Sequence, residues 1–220
     1  MRCYLPLVFL TVGLPFQQVD AEDKSNFGKW EKDIAAFEAQ DKEKAPPQKG
    51  IVFVGSSSIR LWDLKKSFPD LDAINRGFGG SQIADSVHFA DRLIVKHEPR
   101  LVVFYAGDND IAAGKTPDRV AEDFKSLVEI FHKDLPKTKI VFIAIKPSPR
   151  RWALFDKQRK ANALIEALCK KDERLTYLDV VTPMLGDEGK PRQNLFQKDG
   201  LHLNAEGYKL WASLLEPKLK

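Results

Sequence analysis

"IVFVGSSSIRLW" runs from Ile51 to Trp62, and its reading decides the fold. A short apolar run ends in Gly55, three serines follow, and the pattern beyond them is helical. Serines are ordinarily scattered over a surface, whereas here three stand together where a buried strand stops. Small residues that cap their own turn explain such a stretch in any strand-to-helix loop. A nucleophile among the three explains it in an enzyme. Choosing between them requires a base, an orienting carboxylate and an oxyanion hole elsewhere in the chain.

Working outward, continuous apolar runs recur at Ala73–Ile74, Leu101–Tyr105, Ile140–Ile145 and Leu175–Val180. They do not alternate polar with apolar residues, as expected for strands covered on both faces. Helical patterns lie between them at Gln82–His97, Thr116–His132, Phe155–Lys171 and Ala205–Leu215. Another at Lys29–Lys42 precedes the first strand, with Trp30, Ile34 and Phe37 on one face. "TPDRVAEDF", from Thr116, carries a capping threonine, a proline at the first helical position and early acids. The β-α-β alternation predicts an α/β fold, a parallel sheet with helices on both faces. In such folds chemistry gathers at the carboxyl ends of the strands.

Composition narrows the function. Met1-Arg2, the apolar run Cys3–Pro15 and the small residues Val19 and Ala21 read as a secretory signal over residues 1–21. The apolar run is too short to span a bilayer comfortably. Residues 22–220 are then expected to form one exported domain, periplasmic or secreted, with no transmembrane segment. With Cys3 removed, Cys169 is the sole cysteine, so no intrachain disulfide can form and the core must carry stability. Its spacing from Ile165 makes a buried apolar thiol the expected state. The net charge of +4 is spread among many acidic residues, with no basic stripe, no aromatic-basic interleaving and no zinc spacing. Nucleic acid is therefore a poor candidate partner, and the oligomeric state is left open.

The unusual polar residues fall at the expected strand ends. Gly55-Ser56-Ser57-Ser58 follows the first strand, "NRGFGG" (Asn75–Gly80) the second, and "AGDND" (Ala106–Asp110) the third. "DGLHLN" (Asp199–Asn204) comes after the last. In this order the four stretches resemble the serine, glycine, asparagine and Asp-x-x-His blocks of the SGNH hydrolases, also called GDSL-type esterases and lipases. The likeness covers Ile51 to the last helix. It is nearest the branch with platelet-activating-factor acetylhydrolase-like and bacterial carbohydrate-esterase-like members.

The resemblance implies a flavodoxin-like three-layer α/β/α fold and an ester hydrolase working through an acyl-enzyme. It makes Ser57 the nucleophile, at a helix start where free amides stabilise negative charge. Ser56 and Ser58 are read as small neighbours that satisfy turn amides. Of the histidines, His88, His97 and His132 lie in or at the ends of ordinary helices, whereas His202 follows Asp199 by one turn. His202 is thus the base and Asp199 its orienting acid. The oxyanion donors implied are the Ser57 and Gly80 backbone N–H groups and the Asn109 side chain. Gly77 and Gly79 are read as left-handed turn residues, and Asp108 and Asp110 as holders of loop amides.

Two features depart from familiar patterns. The family usually has aspartate where this chain has Ser56, and Ile59 stands where the nucleophile elbow of α/β-hydrolases needs glycine. The expected substrate is a small-molecule or carbohydrate ester with a short acyl group such as acetyl, because no long apolar lid insertion is present. No metal and no organic cofactor is expected. Two other readings stay open: a magnesium phosphoesterase using Asp108, Asp110 and Asp199, and a non-catalytic binding module on the same fold.

Overall fold

A computed structural model describes residues 26–220; the expected leader, residues 1–21, lies outside the described residues. Five strands form one parallel sheet: β1 (Ile51–Gly55), β2 (Ala73–Gly77), β3 (Leu101–Tyr105), β4 (Lys139–Ile143) and β5 (Leu175–Leu178). Their order across the sheet is β2-β1-β3-β4-β5. This is the doubly wound, flavodoxin-like order, in which the chain leaves β1 in one direction and returns beyond it as β3. The crevice at that reversal is where the ends of β1, β2 and β3 bring their loops together.

Helices cover both faces. Before the sheet comes α1 (Glu31–Glu43); α2 (Ser57–Arg60) and α3 (Leu64–Ser67) follow β1; α4 (Ile83–His88) and α5 (Ala90–Leu93) follow β2. Then come α6 (Asp108–Ala112), α7 (Pro117–Asp134), α8 (Phe155–Cys169), α9 (Val181–Met184) and α10 (Ala205–Leu215). Alternate strand residues feed two cores. Val52, Val54, Val102, Phe104 and Phe142 pack with Ile34, Ile83, Phe124, Phe131 and Ile165. Ile51, Phe53, Val103, Tyr105 and Ile143 pack on the other side with Ile59, Trp62, Met184, Trp211 and Leu215. In β1, β3 and β4, where both pleat faces are buried, a polar residue would have no solvated side, and Ile51–Val54, Leu101–Tyr105 and Ile140–Ile143 are accordingly unbroken apolar runs.

Local signals act as read at α7, where the Thr116 side chain accepts from the Arg119 amide at 3.2 Å and Pro117 opens the helix. The single helix expected over Gln82–His97 is instead three short pieces, broken at Phe89 (φ −97°, ψ 14°) and Ile94 (φ −133°, ψ −59°). Phe89, Ala90, Leu93 and Ile94 are all buried, and the breaks let these adjacent pairs reach the core together. Cys169 is buried as expected, and burial pushes its thiol up to about 12.

Candidate active site

Gly55 closes β1 with Tyr105 of β3 directly beside it. Its φ is +136°, and a Cβ there would lie 1.9 Å from the Tyr105 carbonyl oxygen, which accepts from the Ser56 amide at 2.9 Å. Glycine is therefore obligatory at the point where the chain leaves the sheet. Beyond it, α2 is a single turn in which the Ile59 and Arg60 amides donate to the Ser56 carbonyl at 3.0 and 3.1 Å, so local N–H groups matter here more than a long-helix dipole. Ser56 and Ser58 are each only 1% exposed, while Ser57 is partly open to solvent.

Neither outer serine caps the turn as expected. Ser56 makes no side-chain cap bond and its hydroxyl is buried without a partner among the described residues. That oxygen stands where the family usually carries an aspartate. Ser58 is fixed through its carbonyl, which accepts from the Tyr208 hydroxyl of α10 at 3.0 Å.

The turn before α10 faces Ser57. Asp199 Oδ1 accepts from the Leu201 and His202 amides at 2.9 and 3.0 Å, and Oδ2 lies 2.6 Å from His202 Nδ1. The Leu201 amide first, and then the other donors, hold the Asp199 carboxyl down to about 2, so it is ionised at neutral pH. An ionised acceptor on Nδ1 favours the tautomer with its proton there. His202 Nε2, left as acceptor, lies 3.0 Å from Ser57 Oγ. Chemically this arrangement can take the proton of the Ser57 hydroxyl as that oxygen attacks.

The residues expected from the sequence as oxyanion donors sit on the neighbouring loops. Gly80 is exposed with φ +78°, a left-handed position, and a Cβ there would meet Trp30 Cη2 at 3.4 Å. Asn109, at the start of α6, donates from Nδ2 to the Ser81 carbonyl at 2.9 Å, which ties the β3 loop to the β2 loop. Gly77 and Gly79 are not left-handed. A Cβ at Gly77 would lie 2.2 Å from the Arg60 amide nitrogen, and one at Gly79 would lie 2.6 Å from Arg60 Cζ. Both are glycines because α2 packs directly on the β2 loop.

Asp110 accepts from the Ile83 amide at 3.2 Å, as expected of a loop holder, and from Lys115 at 3.1 Å. Asp108 does not hold loop amides; it meets Lys146 Nζ at 3.2 Å and Arg151 Nη1 at 3.0 Å. Asp108, Asp110 and Asp199 thus serve separate partners, and among the described residues no three His, Cys, Asp or Glu side chains group to hold a metal ion. The other histidines sit apart from the site: His88 stacks on Phe27, His97 lies by Asp41 and His132 by Asp172. Sequence reading passed over Tyr105, Lys146, Arg151 and Tyr208. The signal for two of them was present in "IKPSPRR" (Ile145–Arg151), which places a lysine and two arginines at the end of β4.

Comparison with known proteins identifies the family and the fold. Residues 60–210 match the model of the GDSL-like lipase/acylhydrolase family, a span that opens just past Ser57 and includes Gly80, Asn109, Asp199 and His202. No curated protein matches by sequence. Among solved structures, one named for platelet activating factor, from Streptococcus pneumonia, superposes with TM-score 0.79 at 19% identity, over 88% of this chain and 94% of that one. A GDSL-like lipase from Bacteroides thetaiotaomicron gives 0.70 at 24% identity, over 88% and 97%. A mutant of Axe2, an acetyl-xylooligosaccharide esterase from Geobacillus Stearmophilus, gives 0.63 at 13% identity, over 79% and 95%. These likenesses establish the shared three-layer α/β/α fold.

Proposed function

The chain belongs to the GDSL-like lipase/acylhydrolase family of carboxylic ester hydrolases, and from that premise we propose that it is a serine esterase acting on short-acyl esters, with Ser57, His202 and Asp199 as its catalytic triad. The observation that carries the proposal is the continuous line from Asp199 Oδ2 through His202 to Ser57 Oγ, at 2.6 and 3.0 Å, ending on the accessible one of three serines. His202 takes the Ser57 proton as Oγ attacks the ester carbonyl, and Asp199 steadies the imidazolium that forms. The Ser57 and Gly80 amides and the Asn109 amide meet the oxyanion. The alcohol leaves with a proton from His202, and water repeats the attack on the acyl-enzyme.

A small acyl group suits the site because the sequence carries no long apolar lid insertion to hold a fatty chain. Structural likeness to an acetyl-xylooligosaccharide esterase points the same way and brings acetylated carbohydrate into the candidate substrates. The 1–21 leader and the export it implies rest on the sequence alone, as does one domain over residues 22–220. The reading is tested with the protein from residue 22 onward on acyl nitrophenyl esters of increasing length. Turnover should fall from acetyl to octanoyl, and Ser57→Ala should abolish it while Ser56→Ala and Ser58→Ala keep measurable activity. An active Ser57→Ala, or faster octanoyl than acetyl turnover, would overturn it.

A further inference from the structure

The end of β4 enters the site from below. The Ile145 backbone is held at both its N–H and C=O by the buried Asn162 of α8, at 2.8 and 2.9 Å. Five residues on, the Arg150 amide donates to the Gly200 carbonyl at 3.0 Å, inside the Asp199–His202 turn. Between these anchors Lys146 is 1% exposed, with Nζ on the Tyr105 hydroxyl at 3.0 Å and on Asp108 Oδ2 at 3.2 Å. Burial alone would raise the Asp108 carboxyl, yet Lys146 and Arg151 beside it hold it below its ordinary value. Two cations thus surround one carboxylate directly under Asn109.

Arg151 faces Asp108 through Nη1 as an ion pair at 3.0 Å, without a hydrogen bond, and donates from Nη2 to Asn109 Oδ1 at 2.9 Å. On its opposite side Asn109 Nδ2 donates to the Ser81 carbonyl at 2.9 Å. A carboxamide has two N–H bonds, so one remains free for a substrate oxygen. Reversing the amide would set its nitrogen against a guanidinium donor and its oxygen against a carbonyl, both repulsive. A cation on Oδ1 also polarises the amide, which strengthens the N–H opposite it.

We infer that Arg151 is the positioning residue of the oxyanion site: it holds the Asn109 carboxamide with N–H toward the substrate and polarises it. Asp108 and Lys146 set Arg151 in turn. The inference rests on Asn109 being an oxyanion donor, as proposed above. It is tested by a double-mutant cycle on nitrophenyl acetate with Arg151→Ala, Asn109→Ala and the double variant. Asn109→Ala should lower kcat on the order of 10²–10³-fold, and Arg151→Ala about 10–10²-fold with KM within about twofold. The double variant should be no slower than Asn109→Ala beyond about threefold, because Arg151 acts through the residue already removed. Added guanidinium should restore part of kcat to Arg151→Ala and nothing to the double variant. The neutral Arg151→Gln, which keeps part of the aliphatic stem without the charge, serves the same comparison where Arg151→Ala does not fold. Losses that multiply in the double variant, or a raised KM at unchanged kcat, would overturn the inference. So would an unimpaired Arg151→Ala beside an impaired Asn109→Ala, with the proposed function left standing. An unimpaired Asn109→Ala would instead remove the oxyanion reading itself, and this inference with it.

Discussion

Replacing Asp199 with asparagine tests the line of proton transfer without disturbing the turn that carries it. Oδ1 of Asp199 accepts from two backbone amides, Leu201 and His202, at 2.9 and 3.0 Å. An asparagine oxygen can keep both bonds, so the turn should stand. Those same donors then fix the side chain's orientation, leaving its NH2 where Oδ2 now faces His202 Nδ1 at 2.6 Å. A donor there demands a lone pair on Nδ1, which moves the ring proton to Nε2, and Nε2–H cannot accept the Ser57 proton. The imidazolium also loses its counter-charge. In the serine-protease template the equivalent change costs about 10⁴-fold in kcat. Here the carboxylate is 42% exposed and water can partly replace it, so a loss on the order of 10³–10⁴-fold is expected, about 4–5.5 kcal/mol of barrier. Steady-state turnover of nitrophenyl acetate against thermal unfolding separates the two effects. The melting temperature should move by no more than about 3 °C, under about 1 kcal/mol for a domain of this size. A variant within about tenfold of wild-type turnover would show that Asp199 does not set the His202 tautomer.

Two further outcomes follow from the packing. Gly77→Ala places a Cβ 2.2 Å from the Arg60 amide nitrogen and must displace α2 with Ser57. A stability loss of about 3 kcal/mol and a kcat fall on the order of 10² are expected by urea unfolding and turnover; an unchanged kcat would mean that α2 does not set the nucleophile. His97 is buried 3.6 Å from Asp41, and burial pushes its imidazole from 6.5 down to about 4, with Asp41 opposing and Arg76 and Lys96 adding to the fall. The unfolded chain therefore takes up this proton first, and stability drops as pH falls through the window from 6.5 to about 4. Between pH 7 and pH 5 wild-type stability should fall by about 2 kcal/mol more than that of His97→Gln by urea unfolding, the difference isolating His97 from other groups that titrate in this window; equal changes in both proteins would refute it.

The sheet was legible because its central strands are buried on both faces, and that requirement writes itself into consecutive residues as at Ile51–Val54 and Leu101–Tyr105. Helix α7 was legible for the same local reason, with its cap and its proline inside one short stretch. The stretches that carry Ser57, Gly80, Asn109, Asp199 and His202 stood out because polar residues cluster at the strand ends of a parallel sheet, and the resemblance to the SGNH hydrolases singled out those residues within them. What the chain does over longer distances was hidden. Gly77 and Gly79 look like turn glycines until Arg60 is seen packed on them. Ser56 and Ser58 look like self-capping residues until burial separates them from Ser57.

The basic stretch Ile145–Arg151 marked the end of β4 but not the partners of Arg151, because Asp108 and Asn109 lie some forty residues earlier and meet it only when β3 and β4 pair. Sequence by itself determined the elements, their parallel arrangement and the residue types at each strand end, since these follow from burial period and backbone geometry along a few neighbouring residues. Only the tertiary structure decided which serine is reachable, which carboxylate faces the imidazole and which cation holds the asparagine. Those choices depend on distances between side chains from different strands, and no stretch of sequence contains them.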